Sequence, residues 1–179
     1  QNKDGSFNEF YQNDRSFCPT AFTTYAAAKT FYLYNGIFNE SEQLLIETAI
    51  SKSGTWLAKH SFPEVQNQMI ASMNALYYSA ELLEIDVLRN GFKKRKEEVL
   101  NAQDKEGWFL EYSGADIGYS FMALDLFANY LDQNSDEVVK DAVTKLIQFI
   151  IHFIHPDGTI GGNYGSRCTS HVLPYGIKY

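Results

Sequence analysis

The sequence contains few basic residues and few cysteines, and each shortage limits the functions and the cross-links that the chain can be expected to have. Lysine and arginine number 15 against 22 aspartates and glutamates, which gives a formal net charge of −7. A nucleic-acid surface needs clustered lysine and arginine, and the basic run at residues 93–96 leads directly into Glu97 and Glu98, as a solvated helix face does. We therefore expect no nucleic-acid partner. The two cysteines are Cys18 and Cys168, and no disulfide between them is expected.

Long apolar runs and the common nucleotide or nucleophile motifs are also missing. The densest apolar run, residues 149–151, stops at His152, well short of the roughly 20 residues of a membrane helix. The sequence has neither a phosphate-binding Gly-Lys-Ser/Thr loop nor a Gly-x-Ser-x-Gly nucleophile turn. Asp157, Cys168 and His171 have the wrong spacing for a zinc site. We expect no membrane span, no cofactor and no metal, and the sequence leaves the compartment open.

Aromatic residues and regularly spaced glycines dominate what is present. The sequence has 13 phenylalanines and 12 tyrosines, and the aromatic fraction is 15%. A glycine followed closely by a large apolar residue recurs at Gly5, Gly54, Gly107 and Gly158, about 50 residues apart. That period holds two helices and two turns, so the predicted unit is a helical hairpin, with repeats starting near residues 1, 50, 103 and 154.

Helical periodicity fills the segments between the glycines. We predict helices over about residues 19–34, 41–53, 63–83, 86–102, 119–131 and 135–151. The second of these closes at Ser53 and Gly54. In the last one, an apolar stripe lies opposite Lys140, Asp141 and Lys145, which predicts core packing and not a cofactor site. No strand-type alternation interrupts the pattern, so the predicted fold class is all-α.

Glutamine accompanies the glycines in two of the repeats. Gln1 and Gln103 each precede a glycine by four residues, and Trp108 follows the third glycine. This pattern resembles the repeat named for glutamine and tryptophan in the squalene and hopene cyclases. The same helical-hairpin style is shared by protein prenyltransferases and by toroidal polysaccharide lyases and hydrolases.

This resemblance implies a particular architecture. Consecutive α-hairpins would form part of an α/α toroid, a ring of about six hairpins. Residues 1–179 are then expected to be a single toroid-like domain, about half of a six-hairpin ring and a fragment of a larger toroid. Self-association through the open ends of the repeat is the other expectation.

Acidic residues recur at fixed distances after the glycines. Glu9 and Glu111 follow their glycines by four residues, and Asp14, Asp116 and Arg167 follow theirs by nine. These positions precede the predicted inner helices, whose N-terminal ends would surround the mouth of a toroid cavity. The carboxylates can cap these helices, or they can act on a substrate as acid or base, as glycan hydrolysis requires.

The fourth glycine is followed by a loop rich in polar side chains, residues 161–171. It gathers Asn163, Tyr164, Arg167 and His171. These residue types suit β-elimination from a uronate, which needs one group to neutralise the carboxylate and others to move protons. The loop resembles those at the cavity rim of toroidal polysaccharide lyases. The alternative is a surface loop with a paired Arg167 and an exposed His171.

The candidate site combines these positions with their neighbours. The predicted catalytic residues are His171, Tyr164 and Asp116. The predicted substrate-binding residues are Asp14, Arg15, Glu111, Tyr119, Asn163 and Arg167.

The predicted function is polysaccharide processing in the central cavity, by a uronic-acid polysaccharide lyase in preference to a glycoside hydrolase, with a glycan as ligand. One alternative is a non-catalytic helical-repeat module that binds a glycan or a protein. Another is an enzyme like the terpenoid cyclases or prenyltransferases, although no two aspartates are adjacent as the cyclase proton donor requires. Tyrosines such as Tyr25 and Tyr77 can line a sugar groove or pack the helices.

Overall fold

The computed structural model describes residues 1–161, 164–169 and 171–179, and these residues form six α-helices. The helices are α1 Phe17–Tyr34, α2 Glu40–Lys59, α3 Gln66–Leu83, α4 Asp86–Asn101, α5 Ile117–Leu131 and α6 Glu137–Ile150. Short 3-10 turns lie at Asn35–Ile37, Ile151–Phe153 and Tyr175–Lys178. The described residues contain isolated β-bridges but no strand, which confirms the all-α prediction. Within the same residues, no helix combines the length and the apolar character that crossing a membrane requires.

The chain forms two compact units. Unit 1 comprises Gln1–Phe62 and Ala71–Glu97, and unit 2 comprises Pro63–Ile70 and Glu98–Tyr179. In unit 1, α1 packs against α2; in unit 2, α5 packs against α6. Most of the stripe predicted as core in α6 is buried, at Val139, Ala142, Val143, Leu146 and Ile150. The prediction is wrong at the two ends of the stripe, because Val138 and Ile151 are exposed. Helical pairs of this kind fit a helical repeat, and the single toroid-like domain stays a prediction.

Three of the four repeated glycines lie in turns of the same construction. Gly5, Gly107 and Gly158 have φ values of 99°, 98° and 82°, a region that favours glycine. In each turn the glycine N–H donates to the carbonyl three residues earlier, at 2.8 to 3.0 Å. The recurrence detected in the sequence therefore reflects a recurring backbone conformation.

The repeated glutamines have a matching role in the first and third turns. Gln1 Nε2 donates to the Gly5 carbonyl at 3.1 Å and to the Ala49 carbonyl of α2 at 2.8 Å. Gln103 Nε2 donates to the Gly107 carbonyl at 2.9 Å and to a carbonyl of α6 at 2.8 Å. Each glutamine thus fastens its turn to a helix of its own unit.

The prediction that the second helix closes at Gly54 is wrong. α2 continues through Gly54 to Lys59, so this copy of the glycine is not a turn. A Cβ at Gly54 would lie 2.8 Å from Leu88 Cδ2 and 3.5 Å from Ser79 Cβ. Glycine stands here because the helices of unit 1 approach closely, although it is normally unfavourable within a helix.

The basic run in α4 is only partly the solvated face that its composition predicts. Lys93 and Lys94 are exposed, but Arg95 is 3% exposed. Its guanidinium donates to the Leu57 carbonyl at 3.2 Å and to the His60 carbonyl at 2.5 Å. Charge patterning in a sequence does not reveal that one cation of a run serves the last carbonyls of another helix.

The tyrosines of α3 pack within the fold. Tyr77 and Tyr78 are 7% and 1% exposed, and the Tyr78 ring lies 6.1 Å from Tyr25 and 5.3 Å from Tyr32. These contacts indicate that the tyrosines pack between helices, and they do not favour a tyrosine-lined groove that binds sugar.

Candidate functional site

The candidate site lies in unit 2, where the fourth loop folds onto the N-terminal end of α5. Asp116 joins the two. Its carboxylate caps α5 by accepting from the Tyr119 N–H at 3.1 Å. It also accepts from the backbone N–H of Arg167 at 2.9 Å, from that of Thr169 at 3.3 Å, and from the Thr169 hydroxyl. One buried carboxylate therefore holds the helix end and the loop together.

Two glycines make this close approach feasible. Gly118 lies in the first turn of α5, where a Cβ would overlap the Thr169 side chain. Gly165 has a φ of 94°, and a Cβ there would lie 2.6 Å from the Ala115 carbonyl oxygen. Sequence reasoning missed both, because neither belongs to the repeated glycine series.

Glu111 is the second buried carboxyl group of unit 2, at 2% exposed. It accepts from the Asn67 N–H at 2.8 Å and from the Asn67 side-chain amide at 2.5 Å. Burial raises the pKa of Glu111 to about 7, although the two bonds from Asn67 oppose this shift. Glu111 thereby accepts from both the backbone and the side chain of Asn67 in the first turn of α3.

The segment around Glu111 also pairs with the chain that leads into α3. The Gln66 N–H donates to the Leu110 carbonyl at 2.9 Å, and the Tyr112 N–H donates to the Glu64 carbonyl at 2.7 Å. Sequence reasoning missed Asn67. The available signal was the run of polar residues that opens an otherwise apolar helix.

Exposed side chains surround these two buried carboxyl groups. The Arg167 guanidinium lies over the Tyr112 ring, 4.5 Å from its centroid. The His171 ring meets the Tyr119 ring edge-on, with centroids 5.6 Å apart. Arg167 and His171 are exposed, and Tyr119 is half-buried. The structure therefore brings together, near the start of α5, five of the sequence-predicted residues with the added Tyr112: Glu111, Asp116, Tyr119, Arg167 and His171.

Tyr112 was not predicted, and its backbone is unusual. Its φ is 63°, a region that bulky residues seldom adopt. The bonds of its N–H to Glu64, and of the adjacent Ser113 N–H to Glu111, support this conformation. The result is an aromatic ring on which the guanidinium of Arg167 lies.

Tyr164 and Asn163 complete the predicted residues of the fourth loop. Tyr164 is 49% exposed, and its ring meets the His155 ring edge-on, with centroids 6.3 Å apart. Asn163 lies outside the described residues. The roles predicted for both residues stay predictions.

Asp14 and Arg15 belong to unit 1. Asp14 accepts from the N–H groups of Glu9, Phe10 and Tyr11 at 2.9 to 3.3 Å, so it organises the first loop and does not cap α1. The Phe10 bond is the main reason that the pKa of Asp14 lies below its ordinary value. Arg15 Nε lies 3.5 Å from Asp4 Oδ2, and the Arg15 side chain is 61% exposed.

Comparison with other proteins does not assign the chain to a family. No family model, no curated protein and no solved structure matches the chain. Among the residues that the structure describes, no group of three or more His, Cys, Asp or Glu side chains is arranged to hold a metal ion.

Proposed function

We propose that the chain is a polysaccharide-processing domain that acts on an acidic polysaccharide by β-elimination, at the fourth-loop site of unit 2. One observation carries the proposal. The Asp116 carboxylate binds the backbone of Arg167 and Thr169 to the end of α5. Beside this anchored segment, the exposed Arg167 lies over Tyr112 and the exposed His171 meets Tyr119 edge-on. A site of this kind needs its reactive groups fixed before the substrate arrives.

The reaction assigns a separate task to each exposed group. A base removes the proton from the carbon next to the uronate carboxylate, and the glycosidic C–O bond on the neighbouring carbon breaks. A double bond forms between the two carbons, and the leaving oxygen takes up a proton. Arg167 is suited to the carboxylate because its planar guanidinium matches two carboxylate oxygens. His171 is the proposed base, and Tyr164 the proposed proton donor.

Elimination has better support than hydrolysis. Glycoside hydrolysis requires two carboxyl groups that reach the glycosidic bond. Here both oxygens of Glu111 accept from Asn67, and Asp116 is fully buried and occupied by the fourth loop. The proposed role of Asp116 is accordingly to orient the loop, while Glu111 supports α3.

A non-catalytic glycan-binding module is the second candidate. The observation that favours it is the exposed ring of Tyr112, 46% exposed, beneath the Arg167 cation; Tyr164 of the same loop is 49% exposed. Aromatic faces and a cation can hold an acidic sugar without any proton transfer. The terpenoid alternative requires an apolar cavity, which a surface carrying Arg167 does not favour.

We also propose that the helical hairpins belong to an α/α toroid. Two turns of one construction, each fastened to its own unit by a glutamine, support a repeat built from equivalent hairpins. The proposed architecture is about half of an α/α toroid.

The proposal is tested by incubating the full chain with polygalacturonate, alginate and hyaluronan, and recording the ultraviolet absorbance of the unsaturated uronate. We expect absorbance to rise with at least one polymer and to be lost in His171→Ala, which removes the proposed base. His152→Ala is the matched control, because His152 lies in the turn after α6 and is exposed. A folded protein that binds an acidic polymer without producing absorbance would contradict elimination and support the binding module.

A further inference from the structure

Unit 1 carries two clefts that the proposed elimination in unit 2 does not use. One has a volume of about 430 Å³ and is lined by Asp4, Arg15, Thr55, Trp56, Lys59 and His60. The other has a volume of about 480 Å³ and is lined by Gln1, Asn2, Lys3, Asp4, Asn13 and Arg15. Because both include Asp4 and Arg15, they meet at this pair, and together they are called the unit 1 groove. Both volumes suit a small ligand.

The groove is built from a loop that is fixed to α2. Gln1 Nε2 bonds to the Ala49 carbonyl at 2.8 Å. At Gly5 the loop lies so close to α2 that a Cβ would overlap the Lys52 carbonyl. Asp4 accepts from the Ser6 N–H at 3.1 Å and from the Ser6 hydroxyl at 2.7 Å. The walls of the groove are thus set by the fold of the first loop.

The groove is positively charged although the chain is acidic. Lys3, Arg15 and Lys59 are the basic side chains of lysine and arginine among its lining residues, and Asp4 is the one acidic side chain. Bonds from Ser6 and the charge of Arg15 hold the pKa of Asp4 below its ordinary value despite partial desolvation, so this carboxyl is ionised. Three cations against one carboxylate leave two positive charges, in a chain whose formal net charge is −7. An anionic ligand fits this balance.

Lys59 is available to such a ligand because another cation serves the end of α2. Lysines in the last turn of a helix commonly bond its terminal carbonyls. In unit 1 the buried Arg95 guanidinium donates to the carbonyls of Leu57 and His60. Lys59 is exposed and lines the groove.

His60 adds a fixed polar ring to the same wall. It stacks on Trp56, with centroids 4.0 Å apart and an interplanar angle of 12°. Its Nδ1 lies 2.7 Å from the Trp56 carbonyl oxygen. A carbonyl oxygen only accepts, so Nδ1 carries a proton and Nε2 remains for a ligand hydroxyl. The side-chain amide of Asn13 and the side-chain oxygens of Gln1 and Asn2 line the second cleft, whereas the amide N–H groups of Gln1 and Asn2 donate within unit 1.

We propose that the unit 1 groove binds a carboxylate-bearing oligosaccharide, with Arg15 and Lys59 on its acid groups and with His60 and the amide side chains on its hydroxyls. The inference deepens the proposed function, on which it rests for the class of ligand. Cations alone would fit any small anion. Cations together with amides and a ring nitrogen, along two joined clefts, fit an acidic sugar chain better than an isolated phosphate.

The test is calorimetric titration of the full chain with a short oligogalacturonate and with a neutral galactan oligomer of equal length. We expect the acidic oligomer to bind more tightly than the neutral one. Arg15→Gln and Lys59→Gln should each weaken its binding roughly fivefold or more, since each removes a charge-assisted contact. Lys93→Gln, which removes one charge from an exposed position of α4, is the matched control and should bind as the wild type does.

Three outcomes would contradict the proposed binding of an acidic oligosaccharide in the groove. They are unchanged binding in the double variant Arg15→Gln/Lys59→Gln, equal binding of the neutral oligomer, or binding of inorganic phosphate alone. The variants alter exposed side chains, and far-ultraviolet circular dichroism verifies that they fold. Absorbance measured on the same samples separates this inference from the elimination. If the oligomer binds through Arg15 and Lys59 but no elimination occurs, the proposed binding role of the groove is supported and the elimination is not. If elimination depends on His171 while binding depends on neither Arg15 nor Lys59, the proposed binding role of the groove is wrong.

Discussion

At the scale of single residues, the two buried carboxyl groups of unit 2 show why spacing alone does not assign a role. Glu111 and Asp116 were both candidates for contact with a substrate. In the structure, Glu111 holds the start of α3 through Asn67, and Asp116 holds the fourth loop to α5. The groups that remain free to meet a ligand are their exposed neighbours, chiefly Arg167 and His171.

Glu111 makes the stability of the chain depend on pH. The pKa of Glu111 is raised to about 7 by burial, from an ordinary value of 4.5. Because the folded state binds this proton more tightly than the unfolded state does, its stabilising effect is fully present below pH 4.5 and is lost as the pH rises through about 7. As the pH rises through this range, we expect the free energy of unfolding of the wild type to fall by on the order of 3 kcal/mol. We expect this fall to be absent in Glu111→Gln.

Denaturant unfolding between pH 4 and pH 8 measures this difference. Glu106→Gln is the control, because Glu106 is exposed and lies in the same unit. A wild-type stability that rises over this interval would show that the N–H donors at the start of α3 outweigh burial, since a helix N-terminus favours the ionised carboxylate.

At the scale of elements, the glycine turn is the device that the chain repeats. Gln1 and Gln103 make equivalent bonds in two units, and Gly5 and Gly107 lie against the carbonyls of Lys52 and Lys145. The turn before the fourth loop keeps the positive φ at Gly158 but has nothing within 4 Å of a Cβ. The same turn therefore occurs with and without a neighbouring helix carbonyl.

This difference supplies a matched pair of substitutions. Gly158→Ala should cost about 1 kcal/mol, because alanine is strained at positive φ. Gly107→Ala should cost about 1 to 3 kcal/mol more, because its Cβ also meets the Lys145 carbonyl. Urea unfolding of both variants checks the order. Equal losses would show that the contact with Lys145 contributes nothing to stability.

At the scale of the whole molecule, the sequence predicted six helices and missed what depends on contacts distant in the chain. The helical periods, the turns at Gly5, Gly107 and Gly158, and the centre of the α6 stripe follow from local patterns, and the structure confirms them. Gly54 was taken for a turn because the packing of α2 against Leu88 leaves no trace in the neighbouring sequence.

The candidate site was predictable to a similar extent. Clustering of polar residues after the fourth glycine marked Arg167 and His171, and the structure brings both to the end of α5. Asn67 and Tyr112 escaped notice because their partners, Glu111 and Arg167, lie 44 and 55 residues away in the chain. Lys59 of the unit 1 groove was not predicted for a different reason. The second helix was predicted to end at Gly54, which placed Lys59 in a loop.

The central claim is that the fourth loop carries an elimination site whose Arg167 neutralises the uronate. The most direct measurement is the initial rate of unsaturated-product formation from polygalacturonate by wild type, Arg167→Ala and Arg89→Ala. Arg89 is the control, because it is an exposed arginine of α4 that pairs with Asp86 at 3.2 Å. We predict a loss of about 100-fold or more in Arg167→Ala and an unchanged rate in Arg89→Ala. A rate in Arg167→Ala equal to that of the wild type would contradict the claim.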